Sequence, residues 1–171
     1  MMNKVDVPPS GDRIKQLLDY WEIQQLWVRY FDRVDADDAE NAVADFAPNA
    51  RVEIMTGKVY DGRDAYARAL DRVLAQYAVT SHHVSNFEIH VERNTAHMTA
   101  YVYAYHRLRE TGEPWHLWAR IVDRLERRNG KGWVVVEHTL HGVDSHPRWE
   151  KIEDDWYRGH PGRRERDGAR G

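Results

Sequence analysis

The second half of the chain constrains the fold most, because it consists of four extended segments with only short turns between them. The segments cover residues 82–92, 96–109, 115–127 and 133–143, and each shows alternation or enrichment in β-branched and aromatic residues. The last turn, residues 129–132, reads Asn-Gly-Lys-Gly, which is a strong hairpin signal. Consecutive strands joined by tight turns pair in antiparallel fashion, so the sequence predicts a four-stranded meander.

Two helices are predicted at the start of the chain. Residues 12–34 place apolar side chains at the i, i+3, i+4, i+7 spacing of an amphipathic helix. Residues 38–46 indicate a shorter helix, because Asp37 can cap its N-terminus and Glu40 follows three positions later. Pro48 is expected to end this helix.

A hairpin and a third helix are predicted between these helices and the meander. Residues 51–55 and the pair Val59-Tyr60 form the hairpin strands, with Gly57 in the turn, and residues 62–77 again show helical spacing. The sequence therefore predicts an α+β fold in which a curved, mostly antiparallel sheet wraps on three helices. Such a sheet covers its concave face only in part and leaves a cavity, where ligand sites tend to form.

One domain is the expected organisation, because 171 residues suffice for one complete core and are too few for two. We expect a flexible N-terminus over residues 1–11 and a folded domain over residues 12–144. A C-terminal extension is expected over residues 145–171, with a mobile Gly- and Arg-rich end.

Charge and residue types exclude several classes of partner and site. A net charge of -3, from 25 basic and 28 acidic residues, gives no general attraction for nucleic acid or anionic membranes. The absence of cysteine excludes disulfides, thiolate nucleophiles, zinc fingers and iron-sulfur clusters. The sequence shows no secretion signal and no run of about 20 apolar residues, so we expect a cytoplasmic protein.

Asp35 is the acidic residue at the end of the first helix for which no local role is evident. Carboxylates there face the negative end of the helix dipole. Asp37 can cap the next helix and Asp32 can pair with a neighbouring arginine, whereas Asp35 has no such partner in sequence. Beside a cavity, the pKa of its carboxyl is expected to be raised, which suits a proton acceptor or a group that orients an imidazole. A solvated turn aspartate is the alternative interpretation.

His82 and His83 open the strand after the third helix, and strand alternation places them on opposite faces. Only one of them can face the cavity. A histidine held by an aspartate is the commonest minimal acid/base device, although a structural histidine is the alternative. Opposite faces disfavour chelation of one ion by both rings, and no HxH or HExxH spacing occurs, so no metal is expected.

Other polar residues are candidates for the same cavity. Tyr30 lies five residues before Asp35, about 140° further round an ideal helix, so both reach one cavity only if it wraps the helix end. The further candidates are His106, His116, Arg120, His138 and His141.

Several local features occur in a characteristic order. They are the segment 22–26 leading to Tyr30 and Asp35, the segment 45–50 ahead of the first strand, the segment 60–63 ahead of the third helix, His82 at the opening of a strand, and the segment 133–137 in the last strand. Together, over residues 14–143, they resemble SnoaL-like members of the NTF2-like superfamily. The resemblance implies a cone in which the curved sheet and three helices enclose a cavity.

Within that superfamily the sequence is similar to scytalone dehydratase, bile-acid dehydratase and hexachlorocyclohexane dehydrochlorinase, which eliminate a small group without a cofactor. The resemblance implies that Asp35 and His82 are a catalytic pair and that Tyr30 matches a tyrosine of the bile-acid enzyme. His138 stands where the dehydrochlorinase has an arginine, and Tyr105 lies near an acidic residue of the bile-acid enzyme. The anion-handling part of those sites is therefore not implied.

The expected function is that of a cofactor-independent acid/base enzyme, a dehydratase or other lyase. His82, oriented by Asp35, would remove a proton from carbon in a small hydrophobic substrate of polyketide, steroid-like or polycyclic type. Tyr30 would hydrogen-bond the substrate oxygen or leaving group, and His138 or His106 would protonate the departing or developing oxygen. The residues expected to bind substrate are His138, His106, Arg120, Trp118 and Tyr103.

Two alternative functions are compatible with the same residues, and one oligomeric state is expected. The alternatives are an isomerase or polyketide cyclase that uses the same pair, and a non-catalytic ligand-binding or assembly module, since a fold does not fix a reaction. Seven Trp and nine Tyr residues suit burial of the outer sheet face, so a homodimer or homotrimer is expected.

Overall fold

The computed structural model describes residues 10–55, 57–129 and 132–147. Within these residues the chain forms three α-helices, one 3₁₀ turn and six strands. In chain order they are α1 Ser10–Asp35, α2 Ala39–Ala42, the 3₁₀ turn Val43–Asp45, β1 Phe46–Ile54, β2 Lys58–Asp61, α3 Arg63–Leu74, β3 Tyr77–Glu92, β4 Thr95–Leu108, β5 Pro114–Arg128 and β6 Gly132–His146.

The six strands form one curved, unclosed sheet in the order β2-β1-β6-β5-β4-β3. The meander from β3 to β6 is antiparallel throughout, as the sequence predicts. Strand β1 forms the predicted hairpin with β2 and lies parallel to β6, where Val52 is the partner of His138. The α+β cone with a mostly antiparallel sheet on three helices is therefore confirmed.

The core fills the space between the concave face of the sheet and the helices. Helix α1 buries the apolar stripe that its sequence predicts, and Ile23 and Trp27 are completely buried. On β4 the inward row contains Ala100, Val102 and Ala104. Because these side chains are small, they leave free space between the sheet and α1.

The second helix is much shorter than predicted. Helix α2 has four residues, and its N-cap is Asp38, whose carboxylate accepts a bond from the Asn41 backbone N–H at 3.2 Å. Asp37, the predicted cap, has a left-handed φ of 60°. The chain becomes extended already at Phe46 because that residue pairs with Val135 of β6.

Pro48 lies inside β1 and does not end a helix. It falls in the irregular stretch between Phe46 and Arg51, where the register with β6 shifts, so its missing N–H interrupts no regular ladder. Its carbonyl oxygen would lie 3.2 Å from a Cβ at position 62, where φ is +93°. Glycine is therefore required at position 62, directly before α3.

The ends of the other elements also differ from the prediction. Helix α3 ends at Leu74, and Tyr77, predicted to be helical, opens β3. Helix α1 begins at Ser10, inside the stretch predicted to be flexible, and β6 extends past residue 144. Residues 1–9 of the predicted flexible N-terminus (1–11) and residues 148–171 of the predicted C-terminal extension (145–171) lie outside the described residues. Of the helices described, none has the length and apolar character that a membrane span needs.

Candidate active site

A cavity opens between α1, α3 and the concave face of β3 to β6. Its walls are mainly apolar, and the space inside is narrow, about 60 Å³. That is room for a few water molecules, at roughly 15 Å³ each on this measure. The tyrosine and histidine side chains on its walls are Tyr30, Tyr66, Tyr77, His82, His106 and His138.

Asp35 and His82 are in direct contact at one end of the cavity. The Nδ1 atom of His82 lies 2.6 Å from Oδ1 of Asp35, and the backbone N–H of His82 donates to Oδ2 at 2.9 Å. The hydroxyl of Thr80 donates to Oδ1 at 2.8 Å. Asp35 thus accepts three hydrogen bonds from one short stretch of β3, across the end of α1.

Those bonds determine the charge of Asp35. Burial raises the pKa of its carboxyl, but the hydrogen bonds and charge of His82, together with the bond from Thr80, lower it to a net value below the ordinary one. The expectation of a raised pKa is therefore wrong. A carboxylate that stays ionised accepts the Nδ1 proton of His82 and so fixes the ring orientation and tautomer.

The ring of His82 is also held from two other sides. Phe31 stacks on it with ring centroids 4.9 Å apart and an interplanar angle of 16°, and His106 meets it edge to face at 5.3 Å. His82 lines the cavity, whereas His83 contacts Tyr103 on the other face of the sheet. The alternation predicted for the two histidines is confirmed.

Tyr30 reaches the cavity and pairs with a tyrosine from α3. Its hydroxyl lies 2.6 Å from that of Tyr66, and both side chains are buried. Burial raises the pKa of both phenols well above the ordinary value. They remain neutral near neutral pH, which suits hydrogen bonding and excludes a role as phenolate bases.

His138, which also lines the cavity, makes a second histidine–aspartate contact. Its Nδ1 atom lies 2.8 Å from Oδ1 of Asp123, and the two side chains are 2% and 0% exposed. The other oxygen, Oδ2, accepts no well-formed hydrogen bond among the described residues, although the Trp27 indole N–H is close enough to lower the pKa of the carboxyl. Burial raises the pKa of the Asp123 carboxyl, against the lowering effect of His138.

His106 lines the cavity as a buried, neutral ring. Its Nδ1 atom has no hydrogen-bond partner in the part of the chain described. Burial, followed by the nearby His82, lowers the pKa of His106 to about 3. It is therefore uncharged near neutral pH.

Three residues expected to bind substrate lie on the outer face of the sheet instead. Tyr103 and Trp118 are cross-strand partners, and Trp118 is 42% exposed. Arg120, exposed on the same face, lies over the ring of Tyr101 at 5.9 Å. The cavity receives Ala104 and the other alternate positions of these strands. His116, hydrogen-bonded to Tyr103, and the exposed His141 also lie away from the cavity.

Sequence reasoning missed Asp123, Thr80 and Tyr66. Asp123 occupies an inward position between Ile121 and Leu125, and a carboxylate in an apolar row is itself a signal. Thr80 is two residues before His82 and so shares its face. No group of three or more His, Asp or Glu side chains that could hold a metal occurs among residues 10–55, 57–129 and 132–147.

A cone whose cavity carries a few converging polar groups on apolar walls defines a class of proteins that enclose small molecules. The family model described as the SnoaL-like domain matches residues 15–139. The chain belongs to the SnoaL-like family, and the resemblance seen in the sequence is confirmed.

Several solved structures share the fold. A candidate scytalone dehydratase from Novosphingobium aromaticivorans is 24% identical, with a TM-score of 0.71 over 76% of this chain and 87% of that chain. A type 3 hexachlorocyclohexane dehydrochlorinase from Novosphingobium barchaimii is 16% identical, with a TM-score of 0.68 over 76% of this chain and 90% of that one. At these identities the likeness shows the fold alone. No curated protein sequence matches the chain.

Proposed function

We propose that the protein is a cofactor-independent lyase that removes a proton from carbon and expels water from a small, mainly apolar substrate. The observation that carries this proposal is the position of His82, which lies on the cavity wall while its Nδ1 atom contacts Asp35 at 2.6 Å. Asp35 itself is not on the cavity wall, so it acts through His82 as a positioning residue.

His82 acts as the base. Asp35 accepts the Nδ1 proton, which leaves the lone pair of Nε2 available to a substrate C–H. Phe31 and Asp35 hold the ring in one orientation, so little reorganisation precedes proton transfer. General base catalysis of this kind contributes roughly 10²- to 10⁴-fold in rate.

The polar groups and the narrow space indicate the kind of substrate. A carbonyl next to the C–H makes the proton acidic. The hydroxyl pair of Tyr30 and Tyr66 uses one O–H in its own hydrogen bond and leaves the other to donate to the oxyanion that develops. Because the free space is small, a flat molecule of one or two rings must displace lining side chains as it enters. We therefore favour a cyclic β-hydroxy ketone over a steroid-sized substrate.

The relatives support elimination chemistry. Two proteins of similar fold are named as a dehydratase and a dehydrochlorinase. Both names denote loss of a small molecule with formation of a double bond. An isomerase or cyclase would use the same base, so the mass of the product separates these functions. A binding module would leave the substrate unchanged.

The experiment is product analysis with cyclic β-hydroxy ketones of one and two rings, including 3-hydroxy-1-tetralone, which becomes 1-naphthol on losing water. We expect loss of one water with the wild type and a decrease of at least roughly 100-fold for His82→Asn. His83→Asn, one residue away on the opposite face, is the matched control and should keep full activity. Equal activity of wild type and His82→Asn would refute the proposal.

We also propose self-association through the outer face of the sheet. Tyr101 and Trp118 are 48% and 42% exposed there, and aromatic residues are enriched in interfaces. The proposal is a homodimer or homotrimer, and light scattering coupled to size exclusion tests it. A monomer at micromolar concentration would contradict it.

A further inference from the structure

The second histidine–aspartate pair differs from the first in its surroundings. Asp123 and His138 are direct partners in the β5/β6 register, and both face inward. His138 lies on the cavity wall, and Asp123 lies behind it with no exposed surface. Asp35, by contrast, has a side chain that is 28% exposed.

The number of hydrogen-bond donors separates the two carboxyl groups further. Asp35 accepts three hydrogen bonds, whereas Asp123 is bonded to His138 and has one further nearby donor, the Trp27 indole N–H, with no well-formed bond to Oδ2. The residues that face the pair from each packed element are uncharged. They are Trp27 and Tyr30 from α1, Tyr66 from α3, Phe46 and Val52 from β1, and Met98 from β4.

A fully buried carboxylate with few donors is costly, so the Asp123–His138 pair is most stable when it carries no net charge. That state holds one more proton than an ionised Asp123 beside a neutral ring. Whether the shared proton resides on Nδ1 or on the carboxyl, Nε2 of His138 then carries a hydrogen. The pKa of the Asp123 carboxyl is raised for the same reason, because burial disfavours its charged form.

We propose that His138, held by Asp123, is the proton donor of this site and protonates the leaving oxygen while His82 takes the proton from carbon. This inference rests on the proposed function. The Asp35–His82 pair accepts a proton and the Asp123–His138 pair donates one, although both consist of the same residue types. They differ because the Asp35 carboxylate is stabilised by three donors, whereas the Asp123 carboxylate is fully buried. The substrate it implies carries its acidic C–H and its leaving hydroxyl on adjacent carbons.

The two histidines line the same cavity and contact residues that lie one turn apart on α1. Phe31 stacks on His82, and Trp27 contacts His138 with ring centroids 5.1 Å apart. Phe31 and Trp27 are four residues apart on α1, a rise of about 6 Å. The Phe31 and Trp27 rings themselves are 5.8 Å apart, and both histidines line the same cavity, so a substrate held there lies between the base and the proton donor.

The step balances in atoms and charge. The C–H electron pair becomes the new C=C bond, its proton binds Nε2 of His82, and the C–O bond breaks with the proton of His138 completing a water molecule. One proton has then moved from the Asp123–His138 pair to the Asp35–His82 pair. Solvent returns it when the product leaves.

The test compares two leaving groups on one probe skeleton. 3-Hydroxy-1-tetralone needs a proton on its leaving oxygen, whereas 3-chloro-1-tetralone releases chloride without one, and both give fluorescent 1-naphthol. We expect Asp123→Asn and His138→Gln to slow the hydroxy probe by at least roughly 100-fold and the chloro probe less than threefold. Glu137→Gln, which pairs with Arg124 on the outer face at the adjacent register position, is the matched control.

Other outcomes separate the two proposals. His82→Asn should slow both probes, and full activity with both would refute the proposed function itself. Equal slowing of both probes by Asp123→Asn, or no slowing of either, would overturn only the assignment of the proton donor. A readout without substrate is the ¹H–¹⁵N correlation of ring nitrogens in the wild-type protein at pH 7.5. We expect Nε2 of His138 to carry a proton, and a bare Nε2 overturns the inference.

Discussion

Phe31 lies flat against the ring of His82, with centroids 4.9 Å apart and planes 16° apart. This contact and the bond to Asp35 fix both the plane and the rotation of one imidazole. We expect Phe31→Leu to lower kcat about tenfold and to change KM less than twofold, because the base is then less well positioned. A proportional change in KM, or no loss of kcat, would contradict a positioning role.

The neutral, buried ring of His106 makes stability depend on pH. Its folded pKa of about 3 lies below the unfolded value near 6.5, so the unfolded state binds more protons between these values. The contribution to stability is present above pH 6.5 and is lost as the pH falls towards 3, with a slope of at most about 1.4 kcal/mol per pH unit. Urea unfolding of wild type and His106→Leu between pH 7 and 4 measures it, and parallel pH curves would refute it.

The hydroxyls of Tyr30 and Tyr66, 2.6 Å apart and buried, are expected to be energetically coupled. Either single change to Phe leaves one buried hydroxyl without its partner and should cost about 1–3 kcal/mol. The double variant removes both groups, so its cost should be smaller than the sum by about 1 kcal/mol or more. Additive losses in a double-mutant cycle would show that the two hydroxyls do not interact in solution.

Asp19 connects α1 to Arg127 of β5 and Trp133 of β6. It is 4% exposed, forms an ion pair with Arg127, and accepts a bond from the Trp133 indole at 3.3 Å. We expect Asp19→Asn to lower the free energy of unfolding by roughly 2–3 kcal/mol, less than a fully buried pair because Arg127 is 28% exposed. Glu22→Gln is the control, because Glu22 is 3.8 Å from Arg127 and more exposed. Its effect should stay below about 1 kcal/mol, and equal effects would contradict this account.

The sequence predicted the meander well because alternation and turn residues are local signals. The pairing of β1 with β6 was not predictable in the same way, since Phe46 and Val135 are far apart in sequence. That long-range pairing, and not local propensity, makes the chain extended at Phe46, directly after the 3₁₀ turn that follows α2. Propensity alone therefore predicted too long a helix.

The contact between Asp35 and His82 was expected from the resemblance, and the geometry agrees with it. The errors in the binding residues come from the choice of face on two strands, β4 for Tyr103 and β5 for Trp118 and Arg120. Tyr103 and His106 are three positions apart on β4, so they cannot share a face, and only His106 is on the cavity side. Asp123 was missed because its burial depends on which face of β5 meets the helices, a relation between elements that no local pattern contains.

The most direct test of the central claim is the exchange of the C2 protons of 1-tetralone for deuterium, followed by ¹H NMR in heavy water. This ketone has the acidic C–H and lacks the leaving group, so it isolates proton removal by His82. We predict exchange above background for the wild type and His83→Asn, and a decrease of at least roughly 100-fold for His82→Asn. Unchanged exchange in His82→Asn would show that His82 is not the base and would contradict the account.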